Sequence, residues 1–166
     1  FIDVDSADAP GHSRIDKSEF FLEVDLQREL WNGVGAVAEY NDGNGTSDSA
    51  GRFGVFYQPV LEILKQADLW LYAKGFPLGT DAGRRQVAFA WNWTPHYLLE
   101  GRFSTGGFVD LNFDETAGHY RPQTVSEIQF RYRLLGNLNG VAEYRLNEFL
   151  EKDQSHGWAM GVQYTF

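Results

Sequence analysis

Cysteine is absent from this 166-residue chain, methionine occurs once and proline five times. The missing cysteines exclude disulfides, thiolate metal sites and thiol catalysis. No run approaches the roughly 18 consecutive apolar residues of a membrane-crossing helix. That excludes helical spans alone, because spanning strands alternate and give a weak hydropathy signal. Positive charge is also short: 14 Lys and Arg stand against 23 Asp and Glu, for a net charge of -9. Without a basic patch to neutralise phosphates, nucleic acid is not an expected partner. The chain opens at Phe1 without a charged and apolar leader, as a mature or trimmed form would. Glycine-rich phosphate loops and metal-ligand spacings are missing too, so no cofactor or metal is expected.

What is present is aromatic and alternating. Aromatics make up 16% of residues and Gly numbers 18, a composition of strands joined by glycine turns. In RRQVAFAWNW, Val87, Phe89, Trp91 and Trp93 alternate with Gln86, Ala88, Ala90 and Asn92. In VSEIQFRYRLL, Ile128, Phe130, Tyr132 and Leu134 oppose Glu127, Gln129, Arg131 and Arg133. The tail GWAMGVQYTF sets Trp158, Met160, Val162, Tyr164 and Phe166 against Ala159, Gly161, Gln163 and Thr165. SEFFLEVDLQREL, GVGAVAEYND, GRFGVFYQP, ADLWLYAKG, YLLEGRFSTGGFVDLNF and NGVAEYRLN alternate likewise. VLEILKQ (60–66) fits one helical turn between strands. VAEY occurs at 37–40 and again at 141–144, each after a glycine turn.

The connections alternate in length. WNG, TPH and LGNLNG read as tight, VLEILKQ as intermediate, and the polar segments between them as long. Long loops at one end and short turns at the other describe a closed antiparallel up-and-down barrel spanning an outer membrane, as a single domain over 1–166. Counting FIDVD (1–5) gives about ten strands, with eight or twelve as alternatives. Apolar faces then meet lipid and polar faces line the lumen, since a closed sheet leaves no unpaired backbone. Trp31, Tyr57, Trp93, Tyr97, Tyr164 and Phe166 would mark the periplasmic rim. Phe20, Phe113, Tyr120 and Trp158 would mark the outer rim. A water-soluble barrel with the stripes turned inward is the competing arrangement. It is disfavoured because the second face carries Ala88, Ala90, Gly106, Ala159 and Gly161 rather than charge throughout.

The expected lumen set is Glu23, Asp25, Glu39, Trp70, Tyr72, Lys74, Glu100, Arg102, Asp110, Glu127, Arg131, Arg133, Glu143 and Arg145, with Glu29 and Asp68 beside it. Charges of both signs in a narrow barrel must pair or meet water. Two roles remain open on the residues alone. One is a salt-bridged closed barrel with a structural or adhesion role; the other is a hydrated conduit. A third reading is an outer-membrane enzyme built from His12, His119 or His156 with Ser155, Asp114, Glu115 or Asp153. No motif flanks these residues, and His96 falls in a turn at the opposite end, so catalysis is not expected. Loop residues Arg14, Lys17, Arg84, Arg85, Arg121 and Lys152, with loop carboxylates, suit lipopolysaccharide and its divalent cations.

The terminal strand resembles that of Gram-negative outer-membrane proteins, alternating aromatics and ending in Phe. That resemblance implies recognition by the barrel-assembly machinery. With SEFFLEVDLQ, GGFVDLNF, SEIQF and GVAEYRLN, the chain weakly resembles the nucleoside-specific channel (Tsx-like) family. The resemblance implies an outer-membrane porin-like channel for passive transport of small polar solutes, nucleoside-like ones among them. Phe21, Phe56, Trp70, Tyr72 and Phe108 would then stack on a flat ring or fill the lumen.

Overall fold

The computed structural model describes residues 2–5, 19–43, 50–79, 84–114, 122–149 and 155–164. They form one all-β, antiparallel, up-and-down sheet in which each strand pairs with the next in sequence. A short strand, β1 (Ile2–Asp5), lies at one edge. Nine longer strands follow: β2 (Glu19–Trp31), β3 (Val34–Gly43), β4 (Ala50–Tyr57), β5 (Leu69–Gly79), β6 (Arg84–Trp93), β7 (Phe103–Asp114), β8 (Gln123–Leu135), β9 (Leu138–Asn147) and β10 (His156–Tyr164). A single helical turn, α1 (Glu62–Gln66), joins β4 to β5, as VLEILKQ foretold. Among the described residues β1 and β10 are the edges and no ladder joins them.

Two connections depart from expectation. The stretch from Tyr97 to Phe113 is not one strand. A 3₁₀ turn at Leu99–Gly101 interrupts it, and Leu99, Glu100 and Gly101 all have positive φ. The turn after β6 therefore runs from Thr94 to Arg102, and TPH is only its start. The second departure is FPLG (76–79), expected in a loop, which extends β5. A register shift opposite Phe53 and Val55 admits it, and Phe76 becomes one of the most buried side chains.

The turn at Asn32–Gly33 has φ of 45° and 81°, the pair of left-handed residues a two-residue hairpin needs. Glycine is required at 33 for a second reason. A Cβ there would sit 2.0 Å from the Gln58 carbonyl oxygen, whose own N–H donates to the Gly33 carbonyl at 2.8 Å.

Alternation sorts the side chains by face. Glu39 is 4% exposed and Gln86 is buried, whereas Phe53 and Val55 are 56% and 60% exposed and Met160 is 87% exposed. The sheet curls with its polar row on the concave side. Lys74 on β5 reaches Asp25 on β2 at 3.3 Å. Three strand steps span about 14 Å on a flat sheet, beyond the reach of these two side chains.

The ladder is also strongly staggered. Following Cα partners from Trp31 leads through Val34, Tyr57, Ala73, Phe89, Val109, Ser126 and Leu146 to His156. That line starts at the short-turn end of β2 and finishes at the long-loop end of β10. Strands staggered this way are tilted to the axis of the curl.

Gly33→Ala should cost at least about 2 kcal/mol, from left-handed strain and the displaced Gln58 carbonyl. Gly75→Ala, with nothing within 4 Å of the added carbon, should stay within about 0.5 kcal/mol. Denaturant midpoints of the two variants check this.

Candidate functional site

The concave face carries three groups of side chains. The first spans β2 to β6. Register sets Asp25, Glu39 and Arg52 side by side across β2, β3 and β4. Arg52 Nη1 lies 3.2 Å from Glu39 Oε1 and also donates to Gln86. Lys74 bridges Glu39 and Asp25. A carboxylate removed from water this far needs compensating charge, and Glu39 has two cations.

The second group is apolar and lies nearer the short turns. Val37, Phe56 and Phe76 form a buried cluster with Tyr72 against it. Phe56 lies over Gly35, where a Cβ would come within 2.4 Å of its ring. Tyr72 stacks between Phe56 (5.7 Å) and Trp70 (5.6 Å, planes within 5°), and Gln27 donates to its hydroxyl at 2.8 Å. Trp70 ends the stack, 41% exposed.

The third group lies on β6 to β9. Gln129 donates to Glu127 and Glu143, both at 2.7 Å. Arg145 Nε contacts both carboxylates, at 2.9 Å for Glu127. Arg131 Nη2 donates to Asn92 Oδ1 at 2.7 Å, and Arg131 Nε is buried without a hydrogen-bond partner among the described residues. Arg133 donates to the Gly101 carbonyl at 3.2 Å. Asp110 pairs with Ala88 and Val125 in the ladder and is half-buried.

Most of the expected lumen residues thus share this face. Asp25, Glu39, Trp70, Tyr72, Lys74, Asp110, Glu127, Arg131, Arg133, Glu143 and Arg145 alternate with the exposed apolar row. Glu100 and Arg102 do not. They lie in the turn before β7, with the Glu100 side chain 86% exposed, and form a 3.9 Å ion pair there. Asp68 is likewise a turn residue, with φ of 52°. The side chain of Glu23 lies outside the described residues. The repeated VAEY segments occupy β3 and β9, and Glu39 and Glu143 hold equivalent inward places, each bound to basic residues. Arg52 escaped the sequence reading although it shares parity with Gly54 and Phe56. That parity was the available signal.

The histidines do not assemble a catalytic set among the described residues. Ser155 Oγ is 3.4 Å from His156 Nδ1 at the long-loop end. His12, His119, Glu115 and Asp153, and the Asp114 side chain, lie outside the described residues. His96 instead pairs with Asp68, tying the turn before β5 to the turn after β6. Trp93 Nε1 reinforces that junction by donating to the Ala67 carbonyl at 3.0 Å. The His96 side-chain hydrogen bond, helped by its backbone N–H, holds the Asp68 carboxyl below its usual range. No group of three or more His, Cys, Asp or Glu able to hold a metal occurs among the described residues.

No protein-family model, curated protein or solved structure matches the chain.

Two outcomes are expected. Lys74→Met should cost about 2 kcal/mol, and adding Glu39→Gln should recover part of it, because the carboxylate is the more deeply buried charge. A double-mutant cycle by denaturant unfolding reads this. Second, His96→Ala should raise the Asp68 carboxyl towards its ordinary range, seen in a carboxyl NMR titration. Asp68 is the depressed case. Its contribution is present above the ordinary carboxylate value and is lost as pH falls through the lower folded one.

Proposed function

We propose that the sheet closes into a transmembrane β-barrel of a bacterial outer membrane and serves as a narrow passive channel for small polar solutes. The observation that carries the membrane reading is the inverted exposure. Glu39 and Gln86 are buried while Phe53, Val55, Leu78, Phe89 and Met160 face outward and exposed. In water both choices are unfavourable; against acyl chains both are favourable. The stagger from Trp31 to His156 supports closure, because closing a sheet requires tilted strands with displaced register. Outward aromatics at the short-turn end, Trp31, Tyr57, Trp93, Tyr132 and Tyr164, suit a girdle, as do Phe113 and Trp158 at the other. Arg85, on the exposed row at the long-loop end, suits contact with lipopolysaccharide. Closure would pair β10 near β1, the strand edge that assembly machinery would meet.

The channel reading rests on the uneven filling of the concave face. Long side chains crowd β2 to β5. Small ones, Ala90, Gly157, Ala159 and Gly161, line β6 and β10. Once closed, that side leaves an off-centre conduit walled by Asp110, Glu127, Arg131, Glu143 and Arg145. The buried cluster of Val37, Phe56 and Phe76 favours a second reading, a filled barrel with a structural role.

Planar-bilayer recording separates the two. The channel predicts small ohmic steps, shifted towards anion preference by Glu143→Gln and towards cation preference by Arg131→Ala. A folded protein that inserts without current leaves the filled barrel. Closure has its own readout: of the adjacent Gly161 and Val162 amides, the one that points away from β9 should exchange slowly in a closed barrel and fast at an open edge.

A further inference from the structure

At the short-turn end of the concave face, Trp70, Asn92 and Arg131 come from three strands, and Arg131 is only partly satisfied. Trp70 on β5 is opposite Asn92 on β6. Asn92 is opposite Gly106 on β7, and Gly106 is opposite Gln129, two residues before Arg131 on β8. The guanidinium of Arg131 lies across Gly106, where a Cβ would come within 2.8 Å of Nη2, and reaches Asn92 Oδ1 at 2.7 Å. Glycine at 106 therefore leaves the space that the cation takes between β6 and β8. One bond to a neutral amide leaves most of a guanidinium's five donors unspent. Its Nε is buried with no partner among the described residues.

The aromatic partner is fixed from behind. Trp70 stacks on Tyr72 with planes within 5°, Tyr72 stacks on Phe56, and Gln27 holds the Tyr72 hydroxyl at 2.8 Å. Tyr72 has a ring on each side, whereas Trp70 is the terminal ring and remains 41% exposed. A half-exposed indole, whose ladder partner Asn92 is the residue the guanidinium reaches, presents a flat apolar face near a planar cluster of N–H donors. Guanidinium geometry matches a carboxylate bidentately, and a ring stacks on indole in offset fashion.

We infer that Trp70, Asn92 and Arg131 form a subsite for planar organic anions, aromatic carboxylates in particular, at the short-turn mouth of the lumen. The inference rests on the lumen reading for its biological sense, since the subsite then selects solutes at one mouth. Asn92 orients the guanidinium and offers its amide N–H₂ to a second oxygen. Tyr72 and Phe56 act behind the ring, as positioning residues. The ligand's ring supplies what Trp70 lacks, a second stacking partner, and its carboxylate supplies what Arg131 lacks, an anionic acceptor.

Benzoate is the probe, titrated calorimetrically into the detergent-solubilised full chain, with benzamide and cyclohexanecarboxylate as comparators. Benzamide keeps the ring and loses the charge; cyclohexanecarboxylate keeps the charge and loses the flat face. Each should bind about tenfold more weakly than benzoate. Arg131→Gln should remove the preference for benzoate over benzamide. Trp70→Leu should remove the preference for benzoate over cyclohexanecarboxylate. Heat-dependent gel migration and circular dichroism verify that each variant folds. Conservative Trp70→Phe should retain part of the ring preference, which a merely structural role would not predict. Benzoate that fails to bind at tens of millimolar, or binds alike with Arg131→Gln, overturns the subsite. Conductance keeps the two proposals apart. Ion current without benzoate binding sinks the subsite and leaves the channel. Benzoate binding to a barrel that carries no current sinks the channel and leaves the subsite.

Discussion

A buried carboxylate on the concave side of a curled sheet governs this structure. Glu39 is almost wholly removed from water and is held by Arg52 and Lys74, with Lys74 drawing in Asp25 from three strands away. That set of contacts exists only if β2 to β5 bend around it. Once they bend, alternation does the rest. The inward row is mostly polar or small, apart from the aromatic and aliphatic group around Val37, Phe56, Tyr72 and Phe76, and the outward row is mainly aliphatic and aromatic. The sign of the energetics follows from what lies outside. Moving a large apolar side chain out of water gains about 1.5–3 kcal/mol, a gain that rows of exposed Phe, Val and Trp in water would forgo. Hydrocarbon outside restores that term without altering a single internal contact.

The interior is graded along and around the curl. Ion pairs occupy its middle on β2 to β6, an aromatic stack lies nearer the short turns, and a second acidic and basic cluster spans β8 and β9. The VAEY echo gives this plan a partial symmetry. Glu39 and Glu143 follow glycine turns at matching distances, point inward, and meet basic side chains from neighbouring strands. Their surroundings differ because β4 and β5 carry Phe56, Tyr72 and Phe76, while β10 offers Gly157, Ala159 and Gly161. One flank is packed and the other is roomy. Passage, on the proposed reading, belongs to the roomy flank, and the subsite lies where the two flanks meet.

Much of the sheet was legible because period two is a strong signal wherever one face is uniform. RRQVAFAWNW and GWAMGVQYTF fixed their own faces, and the polar row could be read strand by strand. Where the signal failed, backbone conformation overrode pattern. Leu99, Glu100 and Arg102 continue the alternation of β7 on paper, yet Leu99 and Glu100 adopt positive φ and the run becomes a turn. Alternation cannot register a change of backbone handedness. FPLG carries a proline and a glycine, which read as a loop. The register shift beside Gly54 instead lets the strand continue and buries Phe76. The Asp68–His96 junction joins residues far apart in sequence, so no local pattern announced it. Alternation announced two faces without saying which is covered; on β3 to β6 the buried residues lie on the inward one, whereas every residue of β10 is exposed.

The central claim is that the apolar row faces hydrocarbon and the polar row faces an enclosed aqueous or packed interior. The lack of native cysteine makes a nitroxide scan direct: single cysteines along β6 and β10 in lipid vesicles, with collision rates measured for oxygen and for a water-soluble nickel complex. The account predicts a two-residue period. Phe89, Trp91, Met160 and Val162 should be rich in oxygen and poor in nickel contact, and Ala88, Ala90, Ala159 and Gly161 should not be. Nickel collisions at Phe89 and Met160 as frequent as at a long-loop site, with no alternation, would contradict it.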